Sequence, residues 1–373
     1  MVIPPKAGGF SKPIGIGYSQ PRSIMGTRNP TPGALVYSGV SALDNFNLIN
    51  SLTSPKESRS LIGGTMSQRN SIWTEVLSKL ESIGFKARAV SFEHLAELKD
   101  EIERAHSQGL LADGVYRDYN YAFSFEVPEV LPPARSIIIV ASPAPALEVT
   151  FTLDGRLFQA IIPPVYNHDT DQQVFDCIAD VLRPKGHQLA NAAVPKKLLA
   201  TRSGLAKYGK NNITYVDGMG SYHRLAAFYT DAAVSEDHWQ EPEMLDQCQS
   251  CVACVKQCPT DAISSDRFLL RAEMCITYHN ESEKPFPKWI DPSWHNCLIG
   301  CMICQNVCPG NPPSVRCTVD AATFSEEETN LILKGVSGES LAAETAEKLK
   351  RAGIFPDCKL LARNLKVLLD VPN

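Results

Sequence analysis

The chain has 373 residues, is 44% hydrophobic and 21% charged, and carries a formal net charge of −5. This ordinary globular composition leaves room for two domains and excludes wholesale disorder, collagen-like repeats and a small disulfide scaffold; the negative balance gives no electrostatic footprint for tight nucleic-acid binding. No stretch reaches the roughly 18 uninterrupted apolar residues of a membrane span, and the densest run, Ile137 to Ala141, is the length of one buried strand.

Residues 1–65 differ from the rest. They hold six basic against two acidic residues, with seven prolines, nine glycines and nine serines, while the remainder is net −9. Nothing there repeats at 3.6 or 2, so the segment reads as a disordered extension, as a targeting peptide without an apolar h-region, or as a start placed too early, with Met66 the true first residue.

Amphipathic order begins just after Met66. Trp73, Val76, Leu77, Leu80 and Ile83 recur at helical spacing with Gly84 as the stop, which predicts a helix over 71–83. A strand around Ala87 to Val90 follows, and then a helix capped by Ser91 with Leu95, Leu98, Ile102 and Ala105 as its stripe, ending at Gly109. Ile137 to Ala141 is a buried strand, and runs 149–153 and 156–162 flank Asp154-Gly155, a two-residue hairpin signal. Val174, Cys177, Ile178 and Val181 mark another helix face, with Cys177 as core. The stretch 198–212 is a short helix that breaks into a loop, where Gly204 and Gly209 allow close approach of backbone to a large group, or simply cap and turn the chain. Residues 66–245 thus form a mixed α/β domain, and 313–373 a short helical C-terminus.

Nine of the twelve cysteines lie between Cys248 and Cys308. A dense cluster in a chain of this size points to metal and to a reducing compartment. Cys248-x2-Cys251-x2-Cys254-x3-Cys258-Pro259 is the bacterial ferredoxin run, and Cys301-x2-Cys304-x3-Cys308-Pro309 is a second. In such runs the last cysteine ligates the other cluster, so residues 246–312 form a dicluster ferredoxin-like domain with two 4Fe-4S clusters. The first takes Cys248, Cys251, Cys254 and Cys308; the second takes Cys258, Cys301, Cys304 and either Cys275 or Cys297, of which spacing alone favours Cys297. Paired cysteines also build zinc sites, but those use separated pairs rather than a triple repeat ending twice in Cys-Pro. Cys317 and Cys358 lie outside the runs and read as free thiols. Such a module carries single electrons, and the reacting group lies elsewhere.

The blocks Ser203-Gly-Leu-Ala-Lys-Tyr-Gly-Lys-Asn211, Gly220-Ser221, Thr230-Asp231, the run from Cys248, Cys275-Ile-Thr-Tyr278 and Gly300-Cys-Met-Ile-Cys-Gln-Asn-Val-Cys-Pro309 together resemble epoxyqueuosine reductase. The related reductive dehalogenases share its plan but usually carry a twin-arginine export signal that this chain lacks. The resemblance implies a cobalamin domain joined to a dicluster domain, with electrons passing from clusters to cobalt and a modified base in tRNA reduced from epoxide to alkene. It implies Cys275 as the fourth ligand of the second cluster, with no counterpart for Cys297. It also implies that Tyr208, Gly209, Lys210, Asn211, Gly220 and Ser221 lie against the corrin, that a flavodoxin or ferredoxin reductase type of donor supplies electrons, and that the protein is cytoplasmic.

Two departures stand out. The family's Val-Asp-Ser-Ala-Pro supplies a proton-donating aspartate, whereas this chain reads Leu189-Ala-Asn-Ala-Ala-Val-Pro195, with Ala190 or Asn191 at the acid's place. Neither side chain is an acid, so an epoxide opening would lose about 10²- to 10⁴-fold unless Tyr166, His168, Asp169 or Tyr208 served instead. The longer family members also continue into helical repeats that help hold tRNA, and this chain stops. The expected function is therefore a reductase of this type acting on another substrate, with a cobalamin-free electron carrier as the alternative.

Overall fold

The computed structural model describes residues 66–370, apart from 121–122, 127–130, 132, 169, 235 and 355–357. The chain divides after residue 33, and all the described residues lie in the second unit. The segment 1–65, and with it the choice among its three readings, lies outside the described residues.

Helix α1 (Met66–Ser82) ends where Gly84 takes a φ of +83°, and β1 (Lys86–Ser91), α2 (His94–Ser107), α3 (Asp113–Asn120) and β2 (Ser136–Pro143) follow. Next come the hairpin strands β3 (Ala146–Leu153) and β4 (Arg156–Ile162), α4 (Asp171–Leu182), β5 (Leu189–Asn191), α5 (Lys196–Arg202), the ribbon β6 (Lys207–Tyr208) and β7 (Thr214–Tyr215), and β8 (His223–Thr230). The hairpin turn is Asp154-Gly155, both at positive φ, as that dipeptide predicts. Ser91 does not cap α2. It ends β1, and its hydroxyl accepts the Glu93 amide, while the helix starts one turn later without a side-chain cap. Helix α3 carried too short an apolar pattern to be anticipated.

The central sheet has the order β1-β2-β8-β5 and is antiparallel throughout. Its two middle strands are buried on both faces because helices cover each side. Ile138, Val140, Ala226 and Phe228 face α1 and α4, while Ile137, Ile139, Leu225 and Tyr229 face α2 and α5. A strand with two covered faces reads as a continuous apolar run, which is why Ile137 to Ala141 shows no alternation. Cys177 lies in the α1/α4 core, as its stripe position predicts.

After β8 the cysteine-rich segment is mostly loops with short helices α6 (Ala253–Gln257), α7 (Ile276–Asn280) and α8 (Ile303–Asn306). The C-terminal segment then departs from a purely helical reading. β9 (Thr318–Phe324) joins β3 in parallel to give a second sheet of order β4-β3-β9. Helices α9 (Glu326–Leu333), α10 (Ala343–Arg351) and α11 (Cys358–Asp370) pack on it, and Leu147, Val149 and Phe151 share one core with Phe324, Ile332, Leu349, Leu360 and Leu365. Residues 313–373 therefore complete the β3/β4 hairpin rather than stand apart; the strand was hidden because its edge face is exposed and only Ala322 and Phe324 are buried. Among the described residues no helix is long and apolar enough to cross a membrane.

Candidate metal centre

The cysteine runs fold as tight turns that aim their sulfurs inward. Cys254, on α6, lies close enough to Cys308, Cys248 and Cys251 for each to act on its charge, and Cys248 feels Cys308 and Cys251 in the same way. A second group gathers nearby: Cys275 faces Cys301 and Cys258, and Cys304 faces Cys301 and Cys275. Cys304 also feels Cys254, so the two groups are neighbours. Each last cysteine has crossed to the other run's group, Cys258 to the second and Cys308 to the first. Among the described residues no three His, Cys, Asp or Glu side chains close to the distances that would hold a single metal ion.

Cys297 is placed differently. It is 1% exposed, packs with Ala146, Tyr222 and Met302, and its thiol donates to Asn296 Oδ1 at 3.1 Å. Of the second group only Cys301 acts on it. The neighbouring Asn296 sends its Nδ2 to Cys301 Sγ at 3.2 Å, so this stretch serves the second group through Asn296. Burial pushes the thiols of Cys254 and Cys275 up to about 11. Thiolates there need a compensating cation, which is the coupling that metal binding supplies. Cys317 is exposed, and the Cys358 side chain lies outside the described residues.

Helix α11 braces the second group from behind. The Arg363 guanidinium donates to the carbonyls of His279, Ser282 and Lys284, and Asn364 Nδ2 donates to those of Asn280 and Leu298. Asn280 in turn holds the Gly300 carbonyl at 2.8 Å. A chain position some 80 residues downstream thus fixes the loop that presents Cys275 and Cys301.

The loop residues expected against a corrin lie in the seam between the α/β part and the cysteine turns. Asn311, fully buried, accepts from the Ser221 amide and donates to Ser221 Oγ, each at 2.8 Å, while Ser221 Oγ donates to Gln305. Asn211 is 2% exposed and donates to the Tyr215 hydroxyl at 3.0 Å. Lys210 Nζ reaches the Cys251 carbonyl at 2.9 Å. Tyr208 is buried, and that burial suppresses the acidity of its hydroxyl. These side chains bond within the protein itself, and Lys210 also lines the opening beside Cys248, while the cysteine groups fit two clusters.

Gly220 makes the seam close. It has a φ of +55°, and a Cβ there would strike Asn311 Oδ1 and stand 2.9 Å from the Gly310 carbonyl. Gly220→Ala is expected to cost about 1–3 kcal/mol of stability, read as a lower urea midpoint with an unchanged slope.

Among the stand-ins for the missing acid, Tyr166 is buried and donates to Glu281, and His168 Nδ1 lies 2.7 Å from an Arg224 nitrogen and 3.1 Å from Asp171 Oδ2; burial lowers its pKa against the pull of Asp171. Asp169 lies outside the described residues, and Asn191 is an exposed position on β5. Sequence reasoning passed over two lysines at the start of α5. Lys196 is pushed down to about 8 by burial. The Lys197 side chain is accessible, yet its ammonium is enclosed by protein and lies in the field of Glu281, Cys275 and Cys304. Their only sequence signal was the Lys-Lys dipeptide after Pro195. A cavity of about 520 Å³, lined by Lys210, Glu243, Met244, Asp246 and Gln249, opens beside Cys248.

Residues 247–311 match the family model of the 4Fe-4S double cluster binding domain. The chain is 35% identical over 122 residues to an epoxyqueuosine reductase of Cyclobacterium marinum, a match that covers 32% of this chain and 38% of the relative. It is 25% identical over 252 residues to that of Atelocyanobacterium thalassa, covering 65% and 80%. The match thus spans less than half the length of the first of these relatives. Among solved structures, the Bacillus subtilis epoxyqueuosine reductase, with an aspartate-bearing catalytic loop swung out of its active site, superposes with a TM-score of 0.54 at 21% identity over 81% of this chain and 82% of its own. An epoxyqueuosine reductase bound to a tRNA-Tyr stem loop gives 0.54 at 22%, over 81% of each chain. At those identities the superpositions show a shared fold.

Proposed function

We propose that this chain, epoxyqueuosine reductase-like in sequence and fold and carrying a 4Fe-4S double cluster binding domain, is a cytoplasmic iron–sulfur oxidoreductase with two clusters. One is held by Cys248, Cys251, Cys254 and Cys308, the other by Cys258, Cys275, Cys301 and Cys304. The observation that carries this reading is the sorting of eight cysteines into two facing groups of four while Cys297 turns into the apolar core. Clusters so ligated supply single electrons at low potential.

The chain's own residues support that use. Asn296 donates to the Cys301 sulfur, the Lys197 ammonium lies in the field of Cys275 and Cys304, and the Ser221–Asn311–Gln305 contacts and α11 tie the cysteine turns to the rest of the fold. The opening beside Cys248 is where a donor of the flavodoxin or ferredoxin reductase type reaches the first cluster. Cobalamin is the electron acceptor that the family likeness suggests, with the loop of Tyr208, Gly209, Lys210 and Asn211 and the turn at Gly220 and Ser221 as the residues that the likeness would set against it. A tRNA stem loop, bound by one structural relative, is the first substrate class to test; without the family's aspartate, this chain is expected to open an epoxide 10²- to 10⁴-fold more slowly, on the order of the loss of one general acid.

Anaerobic purification followed by iron and sulfide analysis and a cobalamin titration tests the proposal. About eight irons per chain are expected. Cobalt EPR of a bound, base-off corrin would identify the acceptor. About eight irons with no cobalamin binding would leave an electron carrier, and a chain that takes up zinc but no iron would overturn the reading.

A further inference from the structure

The loop 294–302, which leads into the second cysteine run, is closed by one side chain that no sequence motif marked. Asn296 Oδ1 accepts from the Met302 amide at 2.8 Å, and Asn296 Nδ2 donates to the Trp294 carbonyl at 3.1 Å. A backbone amide only donates and a carbonyl only accepts, so these two bonds decide which end of the carboxamide is nitrogen, without reference to any sulfur. One hydrogen and one acceptor position are left. The hydrogen goes to Cys301 Sγ, 3.2 Å from Nδ2, and the acceptor position takes the Cys297 thiol at 3.1 Å. All four places on the carboxamide are then filled.

The backbone around Asn296 is pinned from three sides. The Leu298 amide donates to the Ile161 carbonyl on β4 at 2.8 Å, and the Leu298 carbonyl accepts from Asn364 on α11 at 2.9 Å. Asn280 on α7 holds the Gly300 carbonyl at 2.8 Å. The Tyr166 ring closes on the same turn, so that a Cβ on Gly300 would stand 2.9 Å from it. Cys297 is seated among Ala146, Tyr222 and Met302, which holds its thiol against Asn296. A donor fixed by such outer contacts is oriented towards the sulfur before any charge on that sulfur changes.

We propose that Asn296 is a positioning residue that holds the reduction potential of the second cluster up through its bond to Cys301 Sγ. This rests on the reading given above, in which Cys301 ligates that cluster. Reduction places more negative charge on the cluster and its ligating sulfurs, and a donor to one of those sulfurs favours that form. Such bonds are among the determinants of cluster potential. The four partners of Asn296 are Trp294, Cys297, Cys301 and Met302. None of them belongs to the first ligand set, so the effect falls on one cluster of the two.

The test is an EPR-monitored redox titration of the reconstituted full chain, with iron counted in every sample. The Cys275→Ser chain, which retains the first cluster, assigns the two signals. Asn296→Asp keeps the size of the side chain and an acceptor for the Met302 amide and the Cys297 thiol, but puts an oxygen where Nδ2 donates. It is expected to move the second midpoint to more negative potential and to leave the first in place. Asn296→Ala removes the donor without adding charge; it is expected to move the same midpoint in the same direction by less, and it decides the matter if the first variant fails to fold. A second midpoint that stays in place in Asn296→Ala at full iron content, two midpoints that move together, or loss of the second cluster in both variants would overturn this role and leave the ligand sets intact. A wild-type chain lacking two 4Fe-4S signals would overturn the ligand sets themselves, and the role of Asn296 with them.

Discussion

Cys275→Ser is expected to lower the iron content of the reconstituted chain from about eight to about four per molecule, while Cys297→Ser keeps all of it. Cys275 lies in the field of Cys301 and Cys258 across the second group, and Thr277 beside it favours the thiolate against burial. Cys297 lies one residue from Asn296 and donates its own hydrogen to Asn296 Oδ1. A serine hydroxyl can make that bond, so the substitution leaves the local network in place. Iron and sulfide analysis with EPR of the reduced proteins reads both results. Full iron in Cys275→Ser together with half in Cys297→Ser would reverse the assignment.

Acid is expected to destabilise the fold through His223. This side chain is 5% exposed; its Nδ1 lies 3.0 Å from the Gly220 carbonyl and its Nε2 3.1 Å from Thr214 Oγ1. A carbonyl only accepts, so Nδ1 carries the proton, and the neutral ring accepts at Nε2 from Thr214. Burial pushes the pKa down to about 4, against about 6.5 in an unfolded chain. Between those values the unfolded chain binds more protons, so stability is complete above about pH 6.5 and falls by about 3 kcal/mol as pH drops through about 4. Burial lowers His295 to about 4 as well, which adds in the same direction. The Asp171 carboxyl is held well below its usual range by His168 and Arg224, against the opposing effect of burial, and its contribution is lost only in stronger acid. Urea midpoints between pH 7.5 and 4.5 check this, with His223→Gln expected to flatten the profile. A profile equally steep in that variant would remove His223 as the cause. Because His223 bonds Gly220 and Thr214, its protonation bears directly on the seam that carries Ser221 and Tyr215.

Sequence alone determined whatever depends on near neighbours along the chain. The Cys-x2-Cys spacings and their Cys-Pro ends identified a two-cluster segment, and a family model covers residues 247–311. Helical periodicity found α1, α2 and α4, and Asp154-Gly155 found its hairpin, because capping, turn chemistry and apolar stripes are local. The tertiary structure decided what depends on contacts far apart. Spacing favoured Cys297, but a spacing cannot show that Asn296 and Met302 turn that thiol into an apolar pocket, while α7 carries Cys275 back across the loop. The resemblance set Asn211 and Ser221 against a corrin, but no local pattern shows that partners 4 and 90 residues away take up their hydrogen bonds. β9 emerged as a strand only because β3 offered it an edge. In each case burial and pairing are set by which surfaces meet, and the local pattern contains only one of the two surfaces.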